Sequence, residues 1–397
     1  MSIKAIDRSL LRRTVDMTVT PEELEKKLAK GEQLRIKYGV DVTGPFMHIG
    51  HAVNLWLMRH FQEAGHKVVF LIGDFTTLIG DPTGKSATRK IIDRSEIDEN
   101  AARFIEQVRQ ILLTDPGVFE IRRNSEWFGK MQVDEFLGLL SMVTHSRLIQ
   151  RDMFQKRIAE GAEIYLHEML YPILQGYDSY MLKSDMTIVG SDQLFNEIMG
   201  RFYQERLGQS PQLVLTTKIT PGTDGLQKQS KSIGNYIAVN ESPRDMYGKA
   251  MSIPDRLIRQ YLEVYTEVAL EEVDRMCGAI ESGEANPVIA KKRLAAAIVE
   301  RYYGKDTAEA EAQWFSNAFS AKVVPDDIPV LSIIAGETVM ATLARVAPDE
   351  SNSELRRLLK QGAVSLNERK VPPDATTLGA TAGDVLKVGK RKWFRFE

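Results

Sequence analysis

The stretch that decides the fold is Lys37-Tyr38-Gly39-Val40-Asp41-Val42-Thr43-Gly44-Pro45-Phe46-Met47-His48-Ile49-Gly50-His51. Residues 34–40 read as a short strand. Residues 41–45 break it as a turn, because Gly and Pro punctuate while Asp and Thr hydrogen-bond locally. From His48 the pattern is helical: Ala52, Leu55, Trp56, Met58 and Phe61 recur at helical spacing, and Gly65 ends the run. Residues 67–73 then form the β-rich apolar run that a buried parallel strand needs. His48 and His51, three apart, share one face of a first helical turn, where backbone N–H groups and the helix dipole attract phosphate. A metal pair is the other reading of two histidines. It wants a third ligand, and no Glu follows His48 in the zinc-protease arrangement, so no metal site is expected.

The same alternation continues on both sides. Thr20-Pro21-Glu22-Glu23 is a capping box with Pro at the first helical position, and Gly31 stops that helix. Residues 97–113, 133–143 and 146–158 read as helices, and 118–122 as a short strand. Residues 164–181 form a long apolar helix with an expected interruption near Pro172. Strands at 186–190 and 213–217 flank a helix from Gln193 to Arg206, which Ser191-Asp192 caps. Strands alternating with helices predict an α/β fold with a mostly parallel sheet covered on both faces. From about Pro243 the β signal gives way to helices as far as about Ala321, and the Pro- and Asp-rich residues 322–329 read as a linker. The expected domains are 1–242, 243–329 and 330–397.

The 397 residues are 43% hydrophobic and 27% charged, an ordinary globular composition. The net charge of −2 excludes a global positive field, so nucleic-acid binding would need a local patch. Residues 353–397 supply one, with ten basic against five acidic residues. Its clusters are Arg356-Arg357 and Lys390-Arg391-Lys392, the second beside the possible stacking groups Trp393 and Phe394. The single Cys277 excludes a disulfide framework within the chain. The first residues lack the apolar core of a signal peptide and no apolar stretch is long enough to span a bilayer, so no membrane partner and a cytoplasmic location are expected.

Three further constellations carry chemistry. Gly80-Asp81-Pro82-Thr83-Gly84-Lys85-Ser86 imitates a P-loop but has three residues between its glycines where that motif has four. Pro82 also removes a backbone N–H, so the P-loop reading fails. Lys85 and Arg89 can still reach a triphosphate as side chains. Tyr171, Gln175 and Asp178, at i, i+4 and i+7, share one helix face within an apolar segment, as the polar wall of a half-buried pocket does. Lys228-Gln229-Ser230-Lys231-Ser232 follows a glycine-rich run and suits transient stabilisation of a pyrophosphate charge by Lys228 and Lys231.

A His-x-Gly-His element followed by a Lys-x-Ser-Lys-Ser loop resembles the class I aminoacyl-tRNA synthetases. Residues 41–51, 71–74, 80–89, 171–178, 190–193 and the lysine loop together resemble the bacterial tyrosyl-tRNA synthetases. The basic C-terminal segment is similar to the small αL RNA-binding module that those enzymes carry at this end. The resemblance implies a Rossmann-like catalytic domain, a helical domain on the anticodon-stem side and that α+β module. It implies tyrosine activation with ATP and Mg²⁺, transfer to tRNA(Tyr), and a homodimer. By matched position, Tyr171, Gln175 and Asp81 would hold the substrate ammonium, and Asp178 would accept from the phenol hydroxyl. Asp41 and Gln193 would line the carboxylate side. Thr43 and His48 would meet the phosphates, and Gly50 and His51 the nucleotide. Gly190 and Asp192 would bind the ribose. Lys85, Arg89, Lys228 and Lys231 would clamp the pyrophosphate.

Two positions depart from the family pattern: Lys37 stands where a tyrosine usually shares the phenol hydroxyl, and Gln229 where methionine is usual. A tryptophanyl enzyme would not need an acidic acceptor at Asp178, and would usually lack the module. A small-molecule nucleotidylyltransferase leaves the helical region and basic tail unexplained. A non-catalytic RNA-binding paralogue predicts eroded site residues, whereas His48, His51, Asp81, Lys228 and Lys231 are all present.

Overall fold

The computed structural model describes residues 3–43, 47–80, 93–230, 233–320, 328–334, 336–367, 369–389 and 392–397. Two compact units result, Met1–Lys305 and Asp306–Glu397.

The first is built on six strands: β1 (Val15–Val19), β2 (Arg35–Val40), β3 (Lys67–Ile72), β4 (Phe119–Arg123), β5 (Met186–Gly190) and β6 (Leu213–Thr217). Their order across the sheet is β1-β6-β5-β2-β3-β4. Every neighbouring pair is parallel except β1, which runs antiparallel along β6. β6 is buried at every position and β3 at all but its first, as strands covered on both faces must be. The chain order reverses between β2 and β5. At such a reversal the two following loops part outside the carboxyl ends of the strands and leave a crevice.

The helix Ile49–Glu63 covers one face through Ala52, Leu55, Met58 and Phe61, all fully buried beside Ile36 and Phe70. Helices Leu166–Met181 and Leu194–Arg206 pack on each other. A Cβ on Gly176 would lie 2.9 Å from the Met199 carbonyl, so that glycine lets the two backbones approach.

Two expectations are corrected. The helix Leu166–Met181 runs unbroken through Pro172, because burial of Met169, Ile173 and Leu174 outweighs one missing backbone hydrogen bond. The single helix expected over 146–158 is two, His145–Ile149 and Asp152–Ala159. Between them Arg151 leaves helical geometry and is buried, its guanidinium 6.0 Å from the Phe154 ring and 5.8 Å from that of Phe195. β1 had no reading in the sequence. Its polar Asp16 and Thr18 alternate only weakly, and an edge strand is completed by its neighbour.

Helices Pro243–Met251, Ile258–Tyr265, Leu270–Glu281 and Pro287–Tyr303 follow without a strand among the described residues. The second unit holds a five-stranded sheet of β7 (Val330–Leu331), β8 (Val364–Leu366), β9 (Arg369–Lys370), β10 (Val385–Val388) and β11 (Lys392–Phe396). Helices Val339–Val346 and Asn352–Lys360 close its core over Leu343, Leu355, Val364 and Leu386. No helix among the described residues is long and apolar enough to cross a membrane.

Candidate active site

A cavity of about 390 Å³ opens where β2 and β5 end. Lys37, Asp41, Thr43, His48, Gly50, His51, Tyr171, Gln175, Asp178, Gly190, Asp192, Gln193 and Lys228 all line it. Asp81, Lys85, Arg89 and Lys231 lie outside the described residues, as do Lys390 and Arg391. Among the described residues no group of three His, Cys, Asp or Glu side chains is placed to hold a metal ion.

One end of the cavity is closed and polar. Asp178 is 3% exposed and accepts from Trp127 Nε1 at 2.9 Å and Asn124 Nδ2 at 3.4 Å. Burial pushes its carboxyl up to about 8, against the Lys37 ammonium and those two donors, which pull it down; Asp41 adds to the rise. Tyr171 donates through its hydroxyl to Asp41 Oδ2 at 3.0 Å, and Thr76 donates to Asp41 Oδ1 at 2.8 Å. Gln175 is held at both ends of its amide. Its Nε2 donates to Glu197 Oε1 at 2.8 Å and its Oε1 accepts from Asn196 Nδ2 at 2.9 Å. The same Asn196 nitrogen reaches Gln193 Oε1 at 3.0 Å.

The other end is built from loops and a helix start. His48 is the N-cap residue of Ile49–Glu63, and its ring stacks on that of His51 with centroids 3.7 Å apart. A side chain at position 50 would strike this pair, since a Cβ on Gly50 would lie 2.9 Å from His48 Nδ1 and 3.3 Å from Gln229 Nε2. The chain beyond the lysine loop is sewn onto the same turn. Ile49 N donates to the Ile237 carbonyl and Val239 N to the Met47 carbonyl, each at 2.9 Å. Two elements far apart in sequence thus meet at the first helical turn. Lys228, half exposed, donates from Nζ to Asp192 Oδ2 at 3.2 Å. Gln229 is buried and donates to the Tyr265 hydroxyl at 2.6 Å, which also bonds Thr220. A methionine in place of Gln229 could make no such bond. An acceptor-rich blind end and an N–H-rich open end with a lysine suit a ligand that is phenolic or cationic at one end and polyanionic at the other.

Sequence reasoning missed Glu197, Asn124, Trp127 and Tyr265. Glu197 follows Gln193 by one helical turn, which is the signal that could have found it. The other three come from separate elements and carry none. In the second unit Arg356 and Arg357 are exposed and Lys392 is half-buried. Trp393 is buried beneath Lys387, whose Nζ lies 4.5 Å from the ring, and Phe394 packs against the unit's core. Trp393 therefore offers little open face to a base, whereas Phe394 is only half-buried.

Residues 29–320 match the profile of the class I tRNA synthetases (W and Y). The chain belongs to that family. Within it, a tyrosine–tRNA ligase of Oleidesulfovibrio alaskensis is 44% identical over 391 residues, spanning 98% of this chain and 97% of that protein. The tyrosine–tRNA ligase of Thermotoga maritima is 40% identical over 386 residues, 97% and 96% of the two chains. Among solved structures, a C-terminally truncated mitochondrial tyrosyl-tRNA synthetase of Aspergillus nidulans superposes with a TM-score of 0.63 at 22% identity, over 78% of this chain and 93% of that one. The Archaeoglobus fulgidus tyrosyl-tRNA synthetase complexed with L-tyrosine gives 0.59 at 22% identity, over 77% and 99%. At such identity these two structures establish the fold.

Proposed function

We propose that the protein is a tyrosine–tRNA ligase, which activates L-tyrosine with ATP and passes the tyrosyl group to tRNA(Tyr). The observation that carries the reading is Asp178, a buried acceptor that lines the blind end of the cavity, where a further donor can come from the ligand. A phenol supplies that donor. Phenylalanine would leave the buried carboxyl without it.

Tyr171 and Gln175, with Asp81, hold the substrate ammonium; Asp41 and Gln193 border its carboxylate. The carboxylate attacks the α-phosphorus of ATP in line, forming the acyl–phosphate bond as the bond to the β-phosphate oxygen breaks and pyrophosphate leaves. The nucleophile is already an anion, so no general base is required. Rate comes from positioning and from charge stabilisation. Thr43, His48 and the helix start meet the phosphates, with Gly50 and His51 beside the nucleotide. Gly190 and Asp192 take the ribose hydroxyls, and Lys85, Arg89, Lys228 and Lys231 take the pyrophosphate. Mg²⁺ would come with the ATP phosphates as part of that substrate, where it would neutralise their charge. A terminal ribose hydroxyl of tRNA then attacks the carbonyl, releasing AMP.

The expected three-part organisation belongs to the same reading: residues 243–329 on the anticodon-stem side, and 330–397 as an αL RNA-binding module with Arg356, Arg357, Lys390, Arg391 and Lys392. Exposed Val133, Leu137, Ile158 and Leu166 on neighbouring helices support a homodimer, which sedimentation would show as twice the chain mass. The activity is tested by amino-acid-dependent ATP–pyrophosphate exchange with tyrosine, phenylalanine and tryptophan supplied separately. Exchange with tyrosine alone is expected. Exchange with tryptophan alone would overturn the specificity, and none with any of the three would overturn the activity.

A further inference from the structure

We propose that Glu197 is a positioning residue for the phenol: it holds the Lys37 ammonium and the Gln175 amide so that Lys37 donates to the phenol oxygen while Asp178 accepts the phenol hydrogen. The inference rests on the tyrosine reading above and assigns two residues of that site.

Glu197 is 1% exposed, in a position where an unpaired carboxylate would be costly. It is fully occupied. Lys37 Nζ lies 2.8 Å from Oε2, Gln212 Nε2 donates to the same oxygen at 2.8 Å, and Gln175 Nε2 donates to Oε1 at 2.8 Å. Gln212 is fixed in turn, because its backbone N–H donates to Gln204 Oε1 at 2.8 Å, and Gln204 Nε2 donates to the Ser184 carbonyl at 2.8 Å. The carboxylate is therefore anchored in the connection into β6 and acts on two cavity residues at once.

Lys37 carries three ammonium protons. Glu197 takes one, and Ser179 Oγ accepts a second at 2.8 Å. The third is left for the cavity that Lys37 lines. Two carboxylates, Asp178 and Glu197, compete here for one ammonium. Had Lys37 paired with Asp178, the acceptor meant for the substrate would be spent inside the protein, and a phenol would meet a closed ion pair. Pairing with Glu197 instead leaves an acceptor and a donor apart across the blind end. A hydroxyl can bridge them, and a bare phenyl ring satisfies neither. Lys37 thus has its own buried counter-charge, and the two residues form a matched pair.

A buried ion pair can also be mere core filling. The discriminating experiment uses the full-length protein with Glu197→Gln and the double variant Lys37→Met/Glu197→Gln, which leaves no unpaired charge. Melting temperature, KM for tyrosine, KM for ATP and the tyrosine-to-phenylalanine ratio of kcat/KM are read in pyrophosphate exchange. The expected result for Glu197→Gln is a tyrosine KM raised about tenfold or more, with KM for ATP little changed. The double variant is expected to regain the melting temperature of the parent while its tyrosine KM stays raised and its discrimination stays low. A double variant with the parent's tyrosine KM and discrimination would overturn the inference alone, leaving the activity intact. It carries the test even if the single variant does not fold. Failure of the parent protein to exchange pyrophosphate with tyrosine would overturn the activity reading and this inference with it.

Discussion

The two ends of the cavity are built on opposite plans. At the closed end Lys37, Asp178 and Glu197 come from a central strand and two packed helices, are almost wholly buried, and have protein partners before any substrate arrives. At the open end the proposed phosphate contacts come from turns and a glycine-rich loop, and Lys228 is half exposed and paired with Asp192. Specificity needs a fixed geometry, because a wrong ligand must be left with unsatisfied groups that cannot relax. Charge stabilisation of a leaving group needs a cation free to arrive late. On the proposed reading the difference separates recognition from rate along one cavity, and each prediction below tests one side of it.

The largest effect is expected for Asp178→Ala, which leaves both the substrate phenol and Trp127 Nε1 without an acceptor. The kcat/KM for tyrosine should fall roughly 10²- to 10³-fold, mostly through KM, while KM for ATP holds. Lys228→Ala should do the reverse, lowering kcat about 100-fold with tyrosine binding unchanged, as single-turnover adenylate formation would show. Should both variants move KM and kcat together, the division of labour is wrong.

Tyrosine affinity should also depend on pH. Burial raises the Asp178 carboxyl to about 8, so the ionised form, the stronger acceptor for a phenol hydrogen, gains population as pH rises toward that value. Lys37 and Asp41 are the charged groups that perturb it, in opposite directions. The dissociation constant for tyrosine should therefore fall as pH rises from 6.5 to 8, by at most about tenfold per unit, measured by equilibrium dialysis. Asp178→Asn should flatten the dependence. The smallest effect is expected for Gln229→Met, which restores the family's usual residue but removes the bond to Tyr265: a change in kcat of about threefold, consistent with one neutral hydrogen bond, and none in tyrosine binding.

Much of this arrangement was legible in the residues. Glycine, proline and a histidine-led helix start marked the strand–turn–helix around His48, and the i, i+4, i+7 spacing placed Tyr171, Gln175 and Asp178 on one wall. Local chemistry writes such signals. Glu197 was not legible as the partner of Lys37, because two charges 160 positions apart attract only after a fold has buried both. The bonds between residues 47–49 and 237–239 are of the same kind. Pro172 misled because packing between two helices overrode a local preference, and Arg151 because its burial between two short helices is a tertiary feature with no local signal. The burial of Trp393 beneath Lys387 was not legible either, because the basic run around it reads as surface.

The contact between Lys228 and Asp192 ties together the two residues that the proposed reading assigns to opposite parts of one nucleotide. The carboxylate proposed to receive the ribose is the one that pairs with the lysine proposed to receive the pyrophosphate. Both side chains are partly exposed, so the pair is weak and the lysine can exchange partners at little cost.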